Sequence, residues 1–415
     1  MPNSLSHFVA SLTAYHQEEA VGLGVPELIP PLLTPSRRGE RKRRLNLLFP
    51  ALFQKWTYGG VATALRLFDR LRSHFDCARI VLLNQLEPEF EFEHWPGWQS
   101  ERVGDSTRNV ALLGDETTPL SVGPEDVFLA TFWTTATWAR EVVTRQSEWF
   151  PEATRRYVYF IQDYEPAFYP WSARYAHALN TYRDPDHTIA VFNSVQLAEY
   201  FRRRAMHFSD EYVYEPILNP YLLQKKRDSV GCVKERLILV YGRPSFPRNG
   251  FELVTEALKQ WATIYPSAAE WSVISAGEPH KDIELGGGSI LRSRGKMNLE
   301  DYADHLTRCW TGLSIMVSPH PSYPPLEMAE FGAWVVTNEF ENKDLSRLAP
   351  NILSVPHFDA GHFAERLRWC CEQHRPGALG ALPGLKSVFR QEESEFPFAD
   401  SLVNAWRRTS AMTSA

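Results

Sequence analysis

A strand–helix–strand pattern near residue 313 most constrains what this chain can fold into. Residues 313–317 form an apolar run, Ser322-Tyr-Pro-Pro-Leu-Glu opens a helical pattern, and Gly332 precedes a second apolar run at residues 334–336. Proline is favoured in the first turn of a helix and glycine just past its end. One helix between two short apolar strands predicts a βαβ unit, in which the two strands are parallel and the helix covers the sheet.

The start of this helix has the chemistry of a ligand site. A helix that begins beyond the carboxyl end of a strand presents N–H groups and the positive end of its dipole, which suits a phosphate. The carboxylate of Glu327, one turn into the helix, can accept hydrogen bonds from sugar hydroxyls. The alternative is an ordinary helix with a solvated glutamate.

Strands and helices alternate in two series along the chain. The apolar runs lie at residues 45–52, 80–84, 127–131, 157–162 and 188–193, and then at 237–241, 271–275, 290–292, 313–317, 334–336 and 352–355. Such alternation predicts an α/β protein with parallel sheets covered on both faces. A chain of 415 residues is too long for one core and suits two domains. The boundary is predicted near residue 220, in an irregular stretch that contains Pro216 and Pro220.

Composition excludes several classes of protein. A net charge of −6 argues against nonspecific nucleic-acid binding. The five cysteines are scattered and form neither a zinc spacing nor a disulfide framework. No apolar run approaches the length of a membrane span and no signal peptide opens the chain, so we expect a cytoplasmic protein. The basic run at residues 37–44 could touch anionic lipid headgroups at the inner face of the plasma membrane; the alternative is a solvated linker.

The segment around Glu327 resembles the nucleotide-sugar site of glycosyltransferase family 4. In that family a Pro/Gly loop, Leu-Glu-Ala-Met-Ala, a glycine and an apolar strand occur in this order. The matching residues here are Pro324, Pro325, Leu326, Glu327, Met328, Ala329, Gly332 and the strand Val335-Val336-Thr337. The family usually has a second glutamate eight positions earlier, where this chain has Pro319. The resemblance implies the GT-B fold, with two Rossmann-like doubly wound domains that face each other across a cleft.

The resemblance also assigns roles to the domains. It implies an N-terminal extension over residues 1–43, an acceptor-binding domain over 44–220 and a nucleotide-sugar-binding domain over 221–390. Residues 391–415 are then a C-terminal helix that crosses back to the first domain.

Cations follow the strands of the predicted nucleotide-sugar domain. Family members have a Gly-Arg and then a Lys-Gly that face the diphosphate, and this chain has Arg243 and Arg248 there. Lys296 follows a later strand, and Gly277 could let the backbone approach the nucleotide closely. A cation should lower the barrier because the leaving nucleoside diphosphate gains negative charge. The alternatives are surface arginines, an ordinary turn and a solvated lysine.

The first domain offers weaker signals. Gly59 and Gly60 stand where the family places a Gly-rich loop that faces the donor, and their spacing is not the dinucleotide fingerprint. Asp163 ends a strand and could orient or deprotonate an acceptor hydroxyl. Glu165 and Trp133 are further candidates for acceptor contacts; the alternative is an Asp-containing turn beside core aromatic residues.

Segments 162–166, 248–250 and 324–332 are similar to those of bacterial rhamnosyltransferases that build surface-layer or rhamnan-type glycans. The resemblance implies transfer with retention from dTDP-rhamnose to a glycan or lipid-linked glycan. The predicted catalytic residues are Asp163, Arg243, Lys296 and Glu327; the donor contacts are Gly59, Gly60, Arg243, Arg248, Gly277, Lys296, Tyr323, Pro324, Pro325, Leu326 and Glu327; the acceptor contacts are Asp163, Glu165 and Trp133. No Asp-x-Asp motif follows a strand in a suitable place, so we expect neither a metal nor another cofactor. The alternatives are a transferase for another activated hexose and a non-catalytic glycan-binding or scaffold protein.

Overall fold

The computed structural model describes residues 32–36, 42–51, 59–83, 99–101, 110–113, 119–380, 385, 389 and 396–407. These residues form two compact units. The N-terminal unit lies between Gly22 and Tyr214 and includes the described residues after Ser394, and the C-terminal unit lies between Glu215 and Glu393. Most of the predicted extension, including residues 37–41 of the basic run, lies outside the described residues.

The N-terminal unit is built on a parallel sheet. Its elements are β1 Leu33–Pro35, β2 Arg44–Phe49, α1 Gly60–Arg72, β3 Cys77–Leu82, β4 Gln99–Glu101, β5 Val110–Leu113, β6 Leu120–Val122, β7 Asp126–Ala130, α2 Trp133–Trp149, β8 Tyr157–Ile161, α3 Ala173–Asn180, β9 Thr188–Asn193, α4 Val195–Arg203 and β10 Asp210–Tyr214. In the described residues the strands of the main sheet follow the order β4-β5-β3-β2-β7-β8-β9-β10, and β1 pairs with β6. Strands β2, β7, β8 and β9 are buried at every residue, as expected for a parallel sheet covered on both faces.

The C-terminal unit repeats this architecture. Its elements are α5 Pro220–Asp228, β11 Glu235–Gly242, α6 Phe251–Ile264, β12 Ser272–Gly277, β13 Ile283–Gly286, β14 Ser289–Ser293, α7 Leu299–Arg308, β15 Cys309–Ser314, α8 Tyr323–Glu330, β16 Trp334–Asn338, β17 Ile352–Val355 and α9 Ala360–Glu372. Its strands follow the order β13-β14-β12-β11-β15-β16-β17, and β13 is an antiparallel edge strand. Helix α10, Ala399–Arg407, then belongs to the N-terminal unit. Short 3₁₀ turns lie at Glu165–Phe168, Pro247–Asn249, Ala268–Glu270 and Leu345–Arg347.

Both sheets have the doubly wound strand order. In the C-terminal unit the chain moves outward from β11 to β12 and β14, and then returns to place β15, β16 and β17 on the other side. The N-terminal unit reverses in the same way between β2 and β7. Ligands of doubly wound sheets bind beyond the carboxyl ends of the strands at this reversal. The predicted α/β class with Rossmann-like sheets is confirmed. In the C-terminal unit, the loops after β11 and β15 lie at the reversal and are the candidate ligand-binding loops.

A buried ionic cluster joins the strands of the N-terminal unit. The Nε and Nη2 atoms of Arg44 donate to the two carboxylate oxygens of Asp126, each at 2.9 Å. The Arg79 guanidinium lies 3.5 Å from the same carboxylate and donates to Asn46 Oδ1 and to the Ser121 carbonyl. Asp126 is only 1% exposed. The arginines therefore compensate its buried negative charge, and the carboxylate compensates their positive charge.

We expect Asp126→Ala to lower the free energy of unfolding by about 3–5 kcal/mol, because it leaves two buried guanidinium groups without their carboxylate. Denaturant unfolding monitored by circular dichroism would measure the loss. The control is Asp76→Ala, which removes the Arg43–Asp76 pair whose side chains are 44% and 45% exposed. Exposed pairs contribute at most about 1 kcal/mol. Equal losses in the two variants would contradict the assignment of a special role to the buried cluster.

Candidate functional site

Two loops meet at the reversal point of the C-terminal sheet. The first follows β11, and the second is the β15–α8 loop, defined here as residues 315–322. The Val317 N–H donates to the Arg248 carbonyl at 2.7 Å. The Asn249 side chain donates to the Ile315 carbonyl at 3.4 Å. The structure therefore brings Arg248 against the loop that leads to Glu327.

Two predicted cations converge at this edge of the sheet. Arg243 follows the last residue of β11, and Lys296 lies shortly after β14. Burial and then the nearby positive charge of Arg243 lower the pKa of Lys296 below its usual value. Since like charges disfavour each other, an anion bound between them would stabilise both.

Glu278 is a functional candidate that the sequence did not reveal. Its Oε1 atom lies 3.5 Å from Arg243 Nη2, and the Arg243 guanidinium also covers the Phe246 ring at 3.6 Å from the ring centroid. Ser245 donates to the Glu278 carboxylate through its N–H at 3.0 Å and its hydroxyl at 2.7 Å. Glu278 thus holds the Arg243 loop in place, and its only sequence signal is its position at the end of β12.

Gly277 is required by backbone packing. Its φ angle is +140°, and a Cβ atom at this position would lie 2.2 Å from the Gly242 carbonyl oxygen. The close approach is therefore to the backbone end of β11. The predicted contact of Gly277 with a nucleotide stays a prediction.

Glu327 is partly buried and is paired with a tyrosine. The Tyr302 hydroxyl of α7 donates to Glu327 Oε2 at 2.8 Å. Burial raises the pKa of Glu327 to about 7, although the bond from Tyr302 acts in the opposite direction. Burial and the charge of Glu327 raise the pKa of Tyr302 well above its usual value. Sequence reasoning missed Tyr302, because only the packing of α7 beside α8 brings the two residues together.

The amino terminus of α8 presents fewer N–H groups than its sequence position suggests. Of the positions that begin a helix, two are Pro324 and Pro325, which have no N–H. The Ser322 N–H donates to His320 Nδ1 at 3.0 Å. Pro324 and Pro325 are therefore excluded as amide donors, and the binding of a phosphate at this helix start stays a prediction beside the cations Arg243 and Lys296.

The other predicted donor contacts on α8 differ in exposure. Tyr323 and Pro324 are partly exposed, whereas Pro325 is buried. Leu326 is fully buried and belongs to the apolar core under the sheet. A ligand contact by Leu326 could therefore come only from its backbone.

The predicted residues of the N-terminal unit gather where β8 ends. A Cβ atom on Gly60 would lie 1.6 Å from Gln162 Oε1, at the end of a flexible side chain that would have to move to make room for it. Gly59 is the residue before α1. Asp163, next to Gln162, is 6% exposed, and its Oδ1 atom accepts from the Tyr164 N–H at 2.8 Å.

Glu165 and Trp133 are bound to one another inside the N-terminal unit. The Glu165 Oε2 atom accepts from the Trp133 N–H at 2.6 Å and from the Tyr159 hydroxyl at 2.7 Å. The indole of Trp133 donates to the Tyr169 hydroxyl at 2.8 Å. Glu165 thus stabilises the start of α2 and is 2% exposed, while Trp133 is 1% exposed. Their contact with an acceptor stays a prediction beside this structural role.

Neither a metal cluster nor a membrane span is found in the described part of the chain. There, no three His, Cys, Asp or Glu side chains come together in a way that could hold a metal ion. No helix among the same residues has the length and apolar character needed to cross a membrane. The expectations of transfer without a metal and of a cytoplasmic location stay predictions.

In a comparison with known protein families, each of the two units matches one domain of the same protein, WsaF. Residues 44–195 match the N-terminal domain of WsaF, and residues 236–368 match the C-terminal domain of WsaF. Each match falls within one of the two compact units.

A curated relative covers much of the chain. It is the O-antigen biosynthesis protein RfbC of Myxococcus xanthus, which is 29% identical over 350 residues, or 80% of this chain. The match spans only 24% of the relative's own length. The chain therefore spans about a quarter of the length of this relative.

Solved structures establish the fold. Anabaena Alr3699/HepE in complex with UDP has a TM-score of 0.56 at 12% identity, and covers 88% of this chain and 99% of that one. The UDP-forming α,α-trehalose-phosphate synthase of Burkholderia vietnamiensis has a TM-score of 0.53 at 11% identity, and covers 89% and 100%. These similarities confirm the expected GT-B fold.

Because the pKa of Glu327 is raised in the folded state, the free energy of unfolding should depend on pH. The folded state holds the Glu327 proton up to about pH 7 and the unfolded state only to about pH 4.5. Stability from this group is therefore present below the unfolded value and is lost as pH rises to about 7. Relative to Glu327→Gln, the wild type should lose on the order of 2 kcal/mol of unfolding free energy between pH 5 and pH 8. Parallel pH dependences in urea unfolding would contradict it.

Proposed function

Since this chain is a glycosyltransferase of the GT-B fold with both domains of the WsaF type, we propose that it moves a sugar from a nucleoside diphosphate sugar to a glycan acceptor in bacterial surface polysaccharide synthesis. The observation that carries the proposal is that Arg243 and Lys296 follow joined strand ends: the Glu278 N–H donates to the Gly242 carbonyl and the Gly277 N–H to the Gly295 carbonyl, each at 2.9 Å. Two cations beside the point of strand reversal provide a site of suitable charge for a diphosphate.

The proposed chemistry places charge where these cations lie. Transfer breaks the bond between the anomeric carbon of the sugar and a diphosphate oxygen, on which the bonding electrons stay, and forms a bond from the anomeric carbon to the acceptor oxygen, which loses its proton. Arg243 and Lys296 stabilise the departing diphosphate, and Arg248 approaches from the loop after β11, where its carbonyl is bonded to the β15–α8 loop. Glu327, beside Tyr302, accepts hydrogen bonds from hydroxyls of the ribose or the sugar. Asp163 orients the acceptor hydroxyl or removes its proton.

The more specific proposal is transfer of rhamnose from dTDP-rhamnose, with retention at the anomeric carbon. Its support is the similarity of three segments, residues 162–166, 248–250 and 324–332, to bacterial rhamnosyltransferases. We expect the reaction to proceed without a metal ion, since side-chain cations can stabilise the diphosphate. The acceptor is a glycan or a lipid-linked glycan.

A UDP-hexose is the second candidate donor. Anabaena HepE is solved with UDP, and the Burkholderia synthase is described as UDP-forming. These proteins share the fold of this chain at 12% identity or less, so the candidate rests on fold similarity alone.

A non-catalytic scaffold is less well supported. Arg243 and Lys296 both follow strand ends that are bonded to one another through Gly242, Gly277 and Gly295. A scaffold has no use for two cations at one edge of a sheet, whereas a diphosphate site does.

We expect calorimetric titration to show binding of a nucleoside diphosphate, with dTDP bound more tightly than UDP or GDP. Glu327→Gln keeps the side-chain shape, removes the charge and should weaken binding because it loses an acceptor for ribose hydroxyls. Tighter binding of UDP would favour the second candidate. Failure of every nucleotide to bind the wild type would refute the donor site and favour the scaffold.

We expect Arg243→Ala to slow transfer roughly 30- to 150-fold, because a charge-assisted contact is worth about 2–3 kcal/mol. Steady-state kinetics with the donor identified by calorimetry would measure it. The control is Arg292→Ala, an arginine of β14 in the same unit whose side chain is 59% exposed beside Asp282. Wild-type kinetics for Arg243→Ala would remove Arg243 from the mechanism.

A further inference from the structure

The β15–α8 loop is enclosed by protein along almost its whole length. Seven of its eight residues are buried, and only Val317 is partly exposed. Connecting segments normally run over the surface, because buried backbone N–H and C=O groups need hydrogen-bond partners. The partners of this loop therefore decide its conformation.

Two side chains from outside the loop hold the backbone of Met316. The Oδ1 atom of Asn338 accepts from the Met316 N–H at 2.7 Å, and its Nδ2 atom donates to the Met316 carbonyl at 3.0 Å. The Lys343 ammonium donates to the same carbonyl at 2.6 Å. The Ser318 N–H adds a third donor to that carbonyl at 3.0 Å. The Met316 carbonyl thus accepts three hydrogen bonds, so the backbone of the loop is held most firmly at Met316.

Lys343 is committed to this contact by its position. It lies in a tight turn after β16, where the Phe340 N–H and the Lys343 carbonyl are bonded at 3.0 Å and the reverse pair at 2.8 Å. Its side chain is among the largest that are fully buried, with 1% exposure. Burying an ammonium group is costly unless it is well bonded. The turn thus places a buried cation under the loop that carries the proposed donor site.

The far end of the loop is strained. Ser322, which precedes α8, has φ +69° and ψ 149°, a region that residues with a Cβ atom rarely adopt. Such strain persists only where the surroundings fix the backbone. The bonds to Met316 at one end, and the bond from the Ser322 N–H to His320 at the other, provide that fixation.

We propose that Asn338 and Lys343 are positioning residues of the donor site, which fix the β15–α8 loop through Met316 and so set Glu327 and Arg248 for the nucleotide sugar. This inference rests on the proposed function. Neither residue needs to touch the donor, because the loop is bonded to Arg248 through Val317 and continues directly into α8.

The test compares two buried lysines of the same unit. Lys343→Met removes the ammonium and keeps the length of the side chain. Lys234→Met is the matched control, since Lys234 is 4% exposed and donates to the Leu306 carbonyl at 3.0 Å. Lys234 immediately precedes β11, so it lies at the opposite edge of the sheet. Asn338→Ser is the second test variant, with a side chain too short to hold both polar groups of Met316.

We expect Lys343→Met and Asn338→Ser each to weaken nucleoside diphosphate binding and to raise the donor KM by about tenfold or more, because misplaced contacts cost that much or more in rate and affinity. The acceptor KM should stay at the wild-type value. Lys234→Met should lose similar stability in urea unfolding and keep the wild-type donor affinity. The readouts are calorimetry with dTDP and UDP and steady-state kinetics.

Each other outcome overturns the inference in a recognisable way. Wild-type donor affinity in both test variants would show that the loop needs neither residue. Equal weakening in Lys234→Met would assign the effect to general stability, as would a failure of both test variants to fold while Lys234→Met folds. Failure of the wild type to bind any nucleotide would instead refute the proposed function.

Discussion

The parallel pairing of β11 with β15 is the interaction on which the proposed donor site depends. Leu239 pairs with Gly312 and Val240 with Leu313, so both strands end at the same edge, although some seventy residues separate them in the chain. The chain reverses its strand order at this pair, and the connections leave in opposite directions. Arg243 and the β15–α8 loop are therefore neighbours because of the register of one strand pair.

The groups at this edge are arranged at a cost that a ligand would offset. Lys296 lies within the field of Arg243, the carboxyl of Glu327 is partly buried, and Ser322 has a strained backbone. A diphosphate would stabilise both cations, and sugar hydroxyls would give the Glu327 carboxylate further donors. The Glu278 carboxylate already compensates part of the Arg243 charge, since it lies beside the guanidinium. An incoming diphosphate would compete with Glu278 for the guanidinium.

The sequence predicted the elements and their order better than it predicted the contacts between elements. Apolar runs and glycines located the strands and placed Arg243 at a strand end, because these signals are local. Tyr302, Asn338 and Lys343 carry no local signal, since each acts on a residue more than twenty positions away. The sequence already showed Pro324 and Pro325 in the first turn of α8, whereas the bond from the Ser322 N–H to His320 could be known only from the structure. Glu165 was placed correctly near the strand end, but its bond to the Trp133 backbone could not be foreseen.

Two sets of buried charge show how this fold separates stability from binding. In the N-terminal unit, Asp126 is 1% exposed and accepts from the Nε and Nη2 atoms of Arg44, so we expect this cluster to act on stability. In the C-terminal unit, the side chains of Arg243 and Glu278 are 24% and 19% exposed at the edge of the sheet. This pair is therefore open to solvent, from which the diphosphate that we propose as a ligand would approach. The loop beside it is held from beneath by Lys343, which is as buried as Asp126. Enclosed charge thus lies beneath accessible charge, and this arrangement would hold the loop in place while the proposed anion replaces Glu278 beside Arg243.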